Sequence, residues 1–254
     1  MAKKLIKKKA KTKLSAVERR RSLIEAAVPL FAKEGFRGVT TKELAAQAGV
    51  SEALLYQHFP SKDDLYSEVQ DYCCQPREEL SSFLTSLAPS TETLVSLLHF
   101  QTKMVIEKIV LGHVGDDLVF PRLMTHSLLE DGEFARLYLQ RSVTRMAATM
   151  HRSVIVARAS GDLKDDQMPD ELRFWFCHHL LVTVLMYRLP AVPVSPYSVT
   201  DDQMVDHLMI HMLRGIGLTD AAIARCANAE KLRKQSQEWL NLAKSGQDSS
   251  EGDS

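Results

Sequence analysis

The 254-residue sequence predicts an all-α protein, and three observations carry that prediction. Apolar residues recur at helical spacing through most of the chain, with no sustained alternation of the kind a half-buried strand requires. Ser15 with Glu18, and Thr40 with Glu43, are capping boxes, in which each side chain satisfies an orphan backbone N–H at a helix start. Gly35, Gly49 and Gly161 stand where periodic stretches end.

The first capping box opens a helix with Ile24, Ala27, Val28 and Phe31 on its inner face, stopped by Gly35. Pro29 removes one backbone bond inside it and predicts a local kink. The second box opens a two-turn helix whose inward residues are Leu44 and Ala48, and Gly49 closes it. Ser51 caps a third helix with Leu55 and Phe59 toward the core and Ala53, Leu54, Tyr56 and Gln57 facing away. Two short helices broken by a glycine turn form the helix-turn-helix signature, whose second helix enters the DNA major groove. Phe36, Val39, Leu44, Leu55 and Phe59 are the core candidates of this three-helix domain.

After Ser61, Leu65, Tyr66, Val69 and Tyr72 begin a fourth helix that continues through Leu80, Phe83, Leu84 and Leu87, kinked or broken at Pro76. From Thr91 the period holds to Gly112, and Gly115 to Asp117 read as loop. A shorter helix runs to about Glu130, and residues 133 to 159 read as one long helix. Pro169 suits the first turn of a helix reaching Arg188, whose stretch LLVTVLMY is apolar nearly all round and calls for burial on more than one side. A proline-rich loop at 190 to 196 precedes a helix of 201 to 214, and Thr219 caps a last helix to about Ala243. The expected organisation is a basic disordered arm (1–14), a helix-turn-helix domain (15–65), a larger helical domain (66–244) and a polar tail (245–254).

The formal net charge of zero conceals an asymmetry: residues 1–62 carry 14 Lys and Arg against 5 Glu, and the rest carry 18 against 27 acidic residues. Seven Lys in the first 13 residues make an arm suited to track phosphates or lie in the minor groove. No apolar run approaches a membrane span and no signal peptide is read, so the expected compartment is cytoplasmic, with no membrane partner. The four Cys lack metal-ligand spacing, and vicinal Cys73 and Cys74 read as buried helix packing rather than a redox pair. There is no Gly-rich phosphate loop, no His-x-x-x-His helix and no nucleophile elbow. No catalytic residue, cofactor or metal site is therefore expected. Adjacent His178 and His179 point about 100° apart on a helix and do not easily share one metal.

Residues 18 to 65 resemble the DNA-binding domain of the TetR family of transcriptional regulators. The likeness rests on Thr40-Thr41, Ala45, Ala48-Gly49-Val50-Ser51, Leu55-Tyr56-Gln57-His58-Phe59 and Ser61-Lys62, occurring together in order. The resemblance implies DNA contacts by Thr41, Lys42, Glu52, Ala53, Leu54, Tyr56, Gln57, His58 and Lys62. Within that set Tyr56, His58 and Lys62 match positions that meet phosphates, while Lys42, Glu52, Ala53 and Leu54 face base edges. Glu52 would accept from a cytosine amino group, and Leu54 would pack on a thymine methyl.

The resemblance further implies a repressor of a palindromic operator on double-stranded DNA, released by a small apolar effector. An effector-independent architectural or protein-recruiting adaptor is the alternative. Phe100, Met104, Phe120, Met124, Met146, Met150 and Trp175 are the candidate lining of the effector pocket. A homodimer is expected through the helix carrying Leu172, Phe176, Leu180, Val184 and Tyr187 and the following one with Val205, Leu208, Met209 and Met212. Pro76 is the expected hinge between effector and recognition helix.

Overall fold

The computed structural model describes residues 14–74, 78–107 and 118–248. Pro76, the basic arm up to residue 13 and the expected loop at Gly115 to Asp117 lie outside the described residues. Every regular element among those described is a helix, and Leu163 and Leu218 form an isolated antiparallel bridge. The chain divides into two compact units, Met1–Val69 and Gln70–Ser254.

The first unit opens with α1 (Ala16–Gly38), capped by the reciprocal Ser15 and Glu18 bonds. Its buried stripe is Leu23, Ile24, Ala27, Val28 and Phe31. Within α1 the backbone leaves helical dihedrals at Gly35, with φ 71°, and not at Pro29. Pro29 lies on the exposed side of the helix, and the chain turns at Gly35, where glycine tolerates a positive φ. Thr40 and Glu43 cap α2 (Thr41–Gln47), and Ser51 caps α3 (Glu52–His58) by accepting from the Leu54 N–H. Gly49 turns the chain between them at φ 66°. Val39, Leu44, Leu55 and Phe59 are buried together with Phe31, while Phe36 is half-buried and stacks near Phe31 and Tyr66.

The division between units falls within α4 (Lys62–Cys73). The helix expected from Ser61 to Leu87, kinked or broken at Pro76, is two helices: α4 ends at Cys73, and α5 (Glu78–Ser86) follows.

The second unit is organised around α6 (Thr91–Ile106), capped by Ser90. Around α6 pack α9 (Thr144–Ala159), α10 (Asp170–Tyr187), α11 (Asp201–Gly215), α12 (Asp220–Cys226) and α13 (Ala229–Asp248). Leu94, Val95, Leu97, Leu98 and Phe100 of α6 are almost completely enclosed. So are polar residues of the same helix, and most are bonded: Thr102 donates to the Leu98 carbonyl, Ser96 donates to Gln235 at 2.8 Å, and His99 Nδ1 lies 2.7 Å from Ser236 Oγ. Between α6 and α9 run α7 (Val119–Leu129), α8 (Glu133–Tyr138) and a π turn at Leu139–Val143. The expected long helix of 133 to 159 thus contains one wider turn, and Gly161 follows it at φ 76°.

Two polar clamps tie the ends of the second unit. Asp162 accepts from Thr91 Oγ1 and Arg225 Nη2, each at 2.6 Å, and the Arg225 bond holds its carboxyl below the usual carboxylate range. Arg173, 2% exposed, is gripped by Asp166, Asp170 and the carbonyls of Met168 and Ile216. Its charge is buried only because each of these acceptors meets it.

Three other expectations at this end are revised. Pro169 is the cap residue before α10 rather than its first turn. The helix expected from Thr219 to Ala243 breaks at Ala227, because Asn228 caps a new helix by accepting from the Lys231 N–H at 2.9 Å. The backbone of α13 then continues to Asp248, into the segment read as tail. On α11, Val205, Met209 and Met212 are buried within the protomer. Of the residues expected at a dimer interface, those left at the surface are Leu172, Phe176 and Tyr187 on α10.

Candidate functional site

Helix α3 is positioned by its two apolar residues, since burying Leu55 and Phe59 fixes which way the others point. Glu52, Ala53, Tyr56 and Gln57 are exposed, and Leu54 and His58 are half-buried. Lys42 at the start of α2 is exposed and Thr41 half-buried. Three of these side chains meet: Tyr56 OH donates to Thr41 Oγ1 at 3.4 Å, and Thr41 Oγ1 donates to Glu52 Oε2 at 3.1 Å. This chain fixes the Glu52 carboxylate against the start of α2, leaving its remaining lone pairs for an outside donor. Hydrogen bonds from the Thr40 side chain and backbone hold Glu43 below its ordinary range, so the cap of α2 stays charged at neutral pH.

Lys62 has a different setting from the other phosphate candidates. Its ammonium donates to the carbonyls of Phe36 at 2.9 Å and Val39 at 3.0 Å, and sits 4.2 Å from the Phe36 ring centroid. Two of its three donors therefore close the end of α1, and one is left for an outside acceptor. Arg20 plays a comparable part unforeseen in the sequence. It donates to the His58 carbonyl at 2.5 Å, pairs with Glu68 at 2.9 Å and lies 4.3 Å from the Phe59 ring centroid. That guanidinium satisfies an orphan carbonyl at the end of α3. The pairing spans 38 residues, so no local pattern announces it.

The second unit holds a mainly apolar, partly open cavity of about 220 Å³. Of the candidate pocket residues, Phe100, Met104, Phe120, Met124 and Met146 line it together. Met150 and Trp175 line a separate cavity of about 280 Å³, beside α9 and α10. The first cavity is also walled by Cys73, Tyr138, Gln101 and His178, the last two unforeseen. Gln101 Nε2 lies 3.3 Å from His178 Nδ1. Burial pushes the Cys73 and Cys74 thiols up to about 12, which leaves almost no thiolate for redox chemistry at neutral pH. Among the described residues no group of three His, Cys, Asp or Glu is placed to hold a metal, and no helix is long and apolar enough to cross a membrane.

Comparison with known proteins follows the same division. Residues 23–69 match the family model described as bacterial regulatory proteins, tetR family. The HTH-type transcriptional regulator AcrR of Shigella flexneri is 39% identical over 59 residues, 23% of this chain and 27% of AcrR. The matches to AcrR and to YerO of Bacillus subtilis span only 27% and 19% of those proteins' own lengths. A longer match, 27% identical over 169 residues, covers 64% of this chain and 81% of the nucleoid occlusion factor SlmA of Edwardsiella ictaluri. In fold, Mycobacterium smegmatis AmtR is similar with a TM-score of 0.55 at 19% identity, covering 92% of this chain and 97% of AmtR. AibR, solved with isovaleryl coenzyme A and operator DNA, gives 0.54 at 17% identity, over 75% of this chain and 96% of AibR. The family model is fitted to the very helices that expose Glu52, Tyr56 and Gln57, so it is the first unit that matches the tetR family of bacterial regulatory proteins.

Proposed function

We propose that this protein is a transcriptional repressor that binds a palindromic operator as a homodimer and is released by a small apolar effector. The observation that carries the reading is α3, which holds Glu52, Ala53, Tyr56 and Gln57 outward over a buried Leu55 and Phe59. The similarity to AcrR and the tetR family model support it for the first unit. Thr41, Lys42, Glu52, Ala53, Leu54, Tyr56, Gln57, His58 and Lys62 are the proposed DNA contacts, with Tyr56, His58 and the free donor of Lys62 on phosphates.

The exposed stripe of Leu172, Phe176 and Tyr187 on α10 supports the dimer, because a second copy of the same stripe would bury it. Two-fold pairing suits two recognition helices reaching successive major grooves about 34 to 36 Å apart. The cavity lined by Phe100, Met104, Phe120, Met124 and Met146 supports the effector. Helix α4 begins four residues after α3 ends and finishes at Cys73 on the cavity wall, so an effector that shifts it alters the setting of the recognition helix. A coupling of about 1 to 3 kcal/mol would lower operator affinity roughly 5- to 150-fold.

Selection of operators from random duplex DNA, followed by footprinting and light scattering, tests the core of this reading. A two-fold symmetric protected site bound by a dimer is the expected result; sequence-independent binding, or a monomer at micromolar concentration, refutes it. The similarity to a nucleoid occlusion factor over most of that protein's length favours a second reading, a DNA-bound adaptor with no effector. The adaptor reading requires that no apolar compound stabilising the protein loosens it from the selected operator.

A further inference from the structure

The first cavity is not uniformly apolar: Ser81, Thr125, Tyr138 and Ser142 line it, and so do Gln101 and His178, which are placed in a way the core does not use. Gln101, 6% exposed, comes from α6, and His178, 9% exposed, from α10; both side chains line the cavity. One face of the Gln101 amide meets His178 Nδ1, while Gln101 Oε1 is buried and has no hydrogen-bond partner in the protein. On the same helix Ser96 and Thr102 both donate within the fold, and His99 Nε2, which also lacks a partner, does not line the cavity. A buried acceptor without a partner is costly, and is retained where something outside the fold meets it.

The chemistry of the pair limits what that something is. With the Gln101 amide donating to Nδ1, the imidazole proton sits on Nε2, so the pair carries at the cavity wall an unmet acceptor, Oε1, and a donor, Nε2–H, beside the second amide N–H. Turning the amide over and moving the proton exchanges these roles and again leaves the pair with both a donor and an acceptor. Burial holds His178 neutral, its pKa brought down to about 4, so the imidazole presents no charge to an anion. No Asp, Glu, Lys or Arg is among the described lining residues, so neither a carboxylate nor an ammonium would find a counter-charge there.

We infer that this cavity takes a neutral, largely hydrocarbon molecule bearing a hydroxyl group, seated so that the hydroxyl bonds both Gln101 and His178. A hydroxyl donates and accepts through one atom, which matches the pair, while the Met and Phe walls cover the hydrocarbon. An ether would meet only the donor, and an alkane neither. Any water the ligand displaces from the pair must have both bonds replaced, or affinity is lost. This inference rests on reading the cavity as the effector site and adds the chemical class of the effector.

Titration calorimetry of the full-length protein without DNA tests it, using straight-chain alcohols, their methyl ethers, carboxylates and ammonium salts of eight, ten and twelve carbons. The expected order puts an alcohol about tenfold or more ahead of its ether and of both charged analogues. That preference should collapse in Gln101→Leu and in His178→Phe while the ether binds them as it binds the wild type; Gln101→Met replaces Gln101→Leu where the latter does not fold. A preference for carboxylate or ammonium, or an alcohol preference that survives both substitutions, overturns the hydroxyl assignment and leaves the effector cavity standing. Failure of every probe at every length removes the cavity itself as an apolar site, and the inference with it.

Discussion

In the first unit the polar residues of α3 point outward, with Glu52, Tyr56 and Gln57 exposed over Leu55 and Phe59; in the second, polar residues of α6 point inward, with His99, Gln101 and Thr102 enclosed among Leu97, Leu98 and Phe100. Water satisfies an outward polar group at no cost until a partner arrives. An inward one must be met by the fold or by a ligand, or it carries a penalty of about 1 to 3 kcal/mol. Side chains of the same kind therefore report on different things: on α3 a partner's surface, on α6 first the core's bonding and then, at Gln101, a cavity.

The largest effect that tests this contrast is at Arg173. Replacing it with Ala strands the carboxylates that surround it, and a loss of about 3 to 5 kcal/mol is expected. Both tryptophans, Trp175 and Trp239, belong to the second unit, so their fluorescence during urea unfolding reads that unit alone. If Gln101→Leu destabilises as much as Arg173→Ala, the distinction between met and unmet inward groups is wrong.

Next comes acidification. Burial holds His99 and His178 neutral, each with a pKa of about 4 against an ordinary 6.5. As the pH falls the unfolded chain takes up these protons first. Stability is thus full above about pH 6.5 and drains away on descending toward 4, by on the order of 3 kcal/mol for each histidine. Urea midpoints measured between pH 7 and 4.5 should show the loss, reduced in His99→Gln; a flat profile contradicts the buried neutral state.

On the outward side, Glu52→Ala should alter discrimination at one base pair by about 1 to 3 kcal/mol, while Tyr56→Phe weakens all sequences alike. Competition binding on a set of single-base operator variants separates the two, and a uniform loss from Glu52→Ala would make that residue a positioning group only. The smallest effect is Thr40→Ala, expected to remove about 1 kcal/mol by unmaking the cap of α2. Faster amide exchange confined to α2 and α3 would show it, and equal acceleration in α6 would not fit two separate units.

What the sequence made legible divides along the same line. The capping boxes at Ser15, Thr40 and the cap at Ser51, the glycine turn and the outward arc of α3 are local patterns, each complete within four residues, and the structure carries all of them. Asn228 is also a local cap, masked in the sequence by an apolar period that runs on past it. The pocket was only partly readable. Met and Phe at helical spacing look alike whether they face a cavity or a core, so the pattern does not separate Met150 and Trp175, which line the other cavity, from Met104 and Met146. Gln101 and His178 stand 77 residues apart and meet only through the packing of α10 on α6. Lys62 could be placed by pattern, but its bonds to Phe36 and Val39 depend on how the end of α1 folds over α4.

The π turn at Leu139–Val143 has a consequence for how this chain can change over generations. A π turn accommodates one residue more than an α-helical turn over nearly the same rise, so the wall of the first cavity formed by Tyr138, Ser142, Val143 and Met146 contains one residue of slack. In an uninterrupted helix, losing one residue would rotate everything beyond it by about 100° and expose the buried face of α9. Here a single-codon deletion within 139–143 would convert the turn to ordinary helix and keep Met150, Val154 and Ala157 in the core, while redrawing only the cavity wall. The shape of the cavity can thus be revised by a length change that the fold itself absorbs.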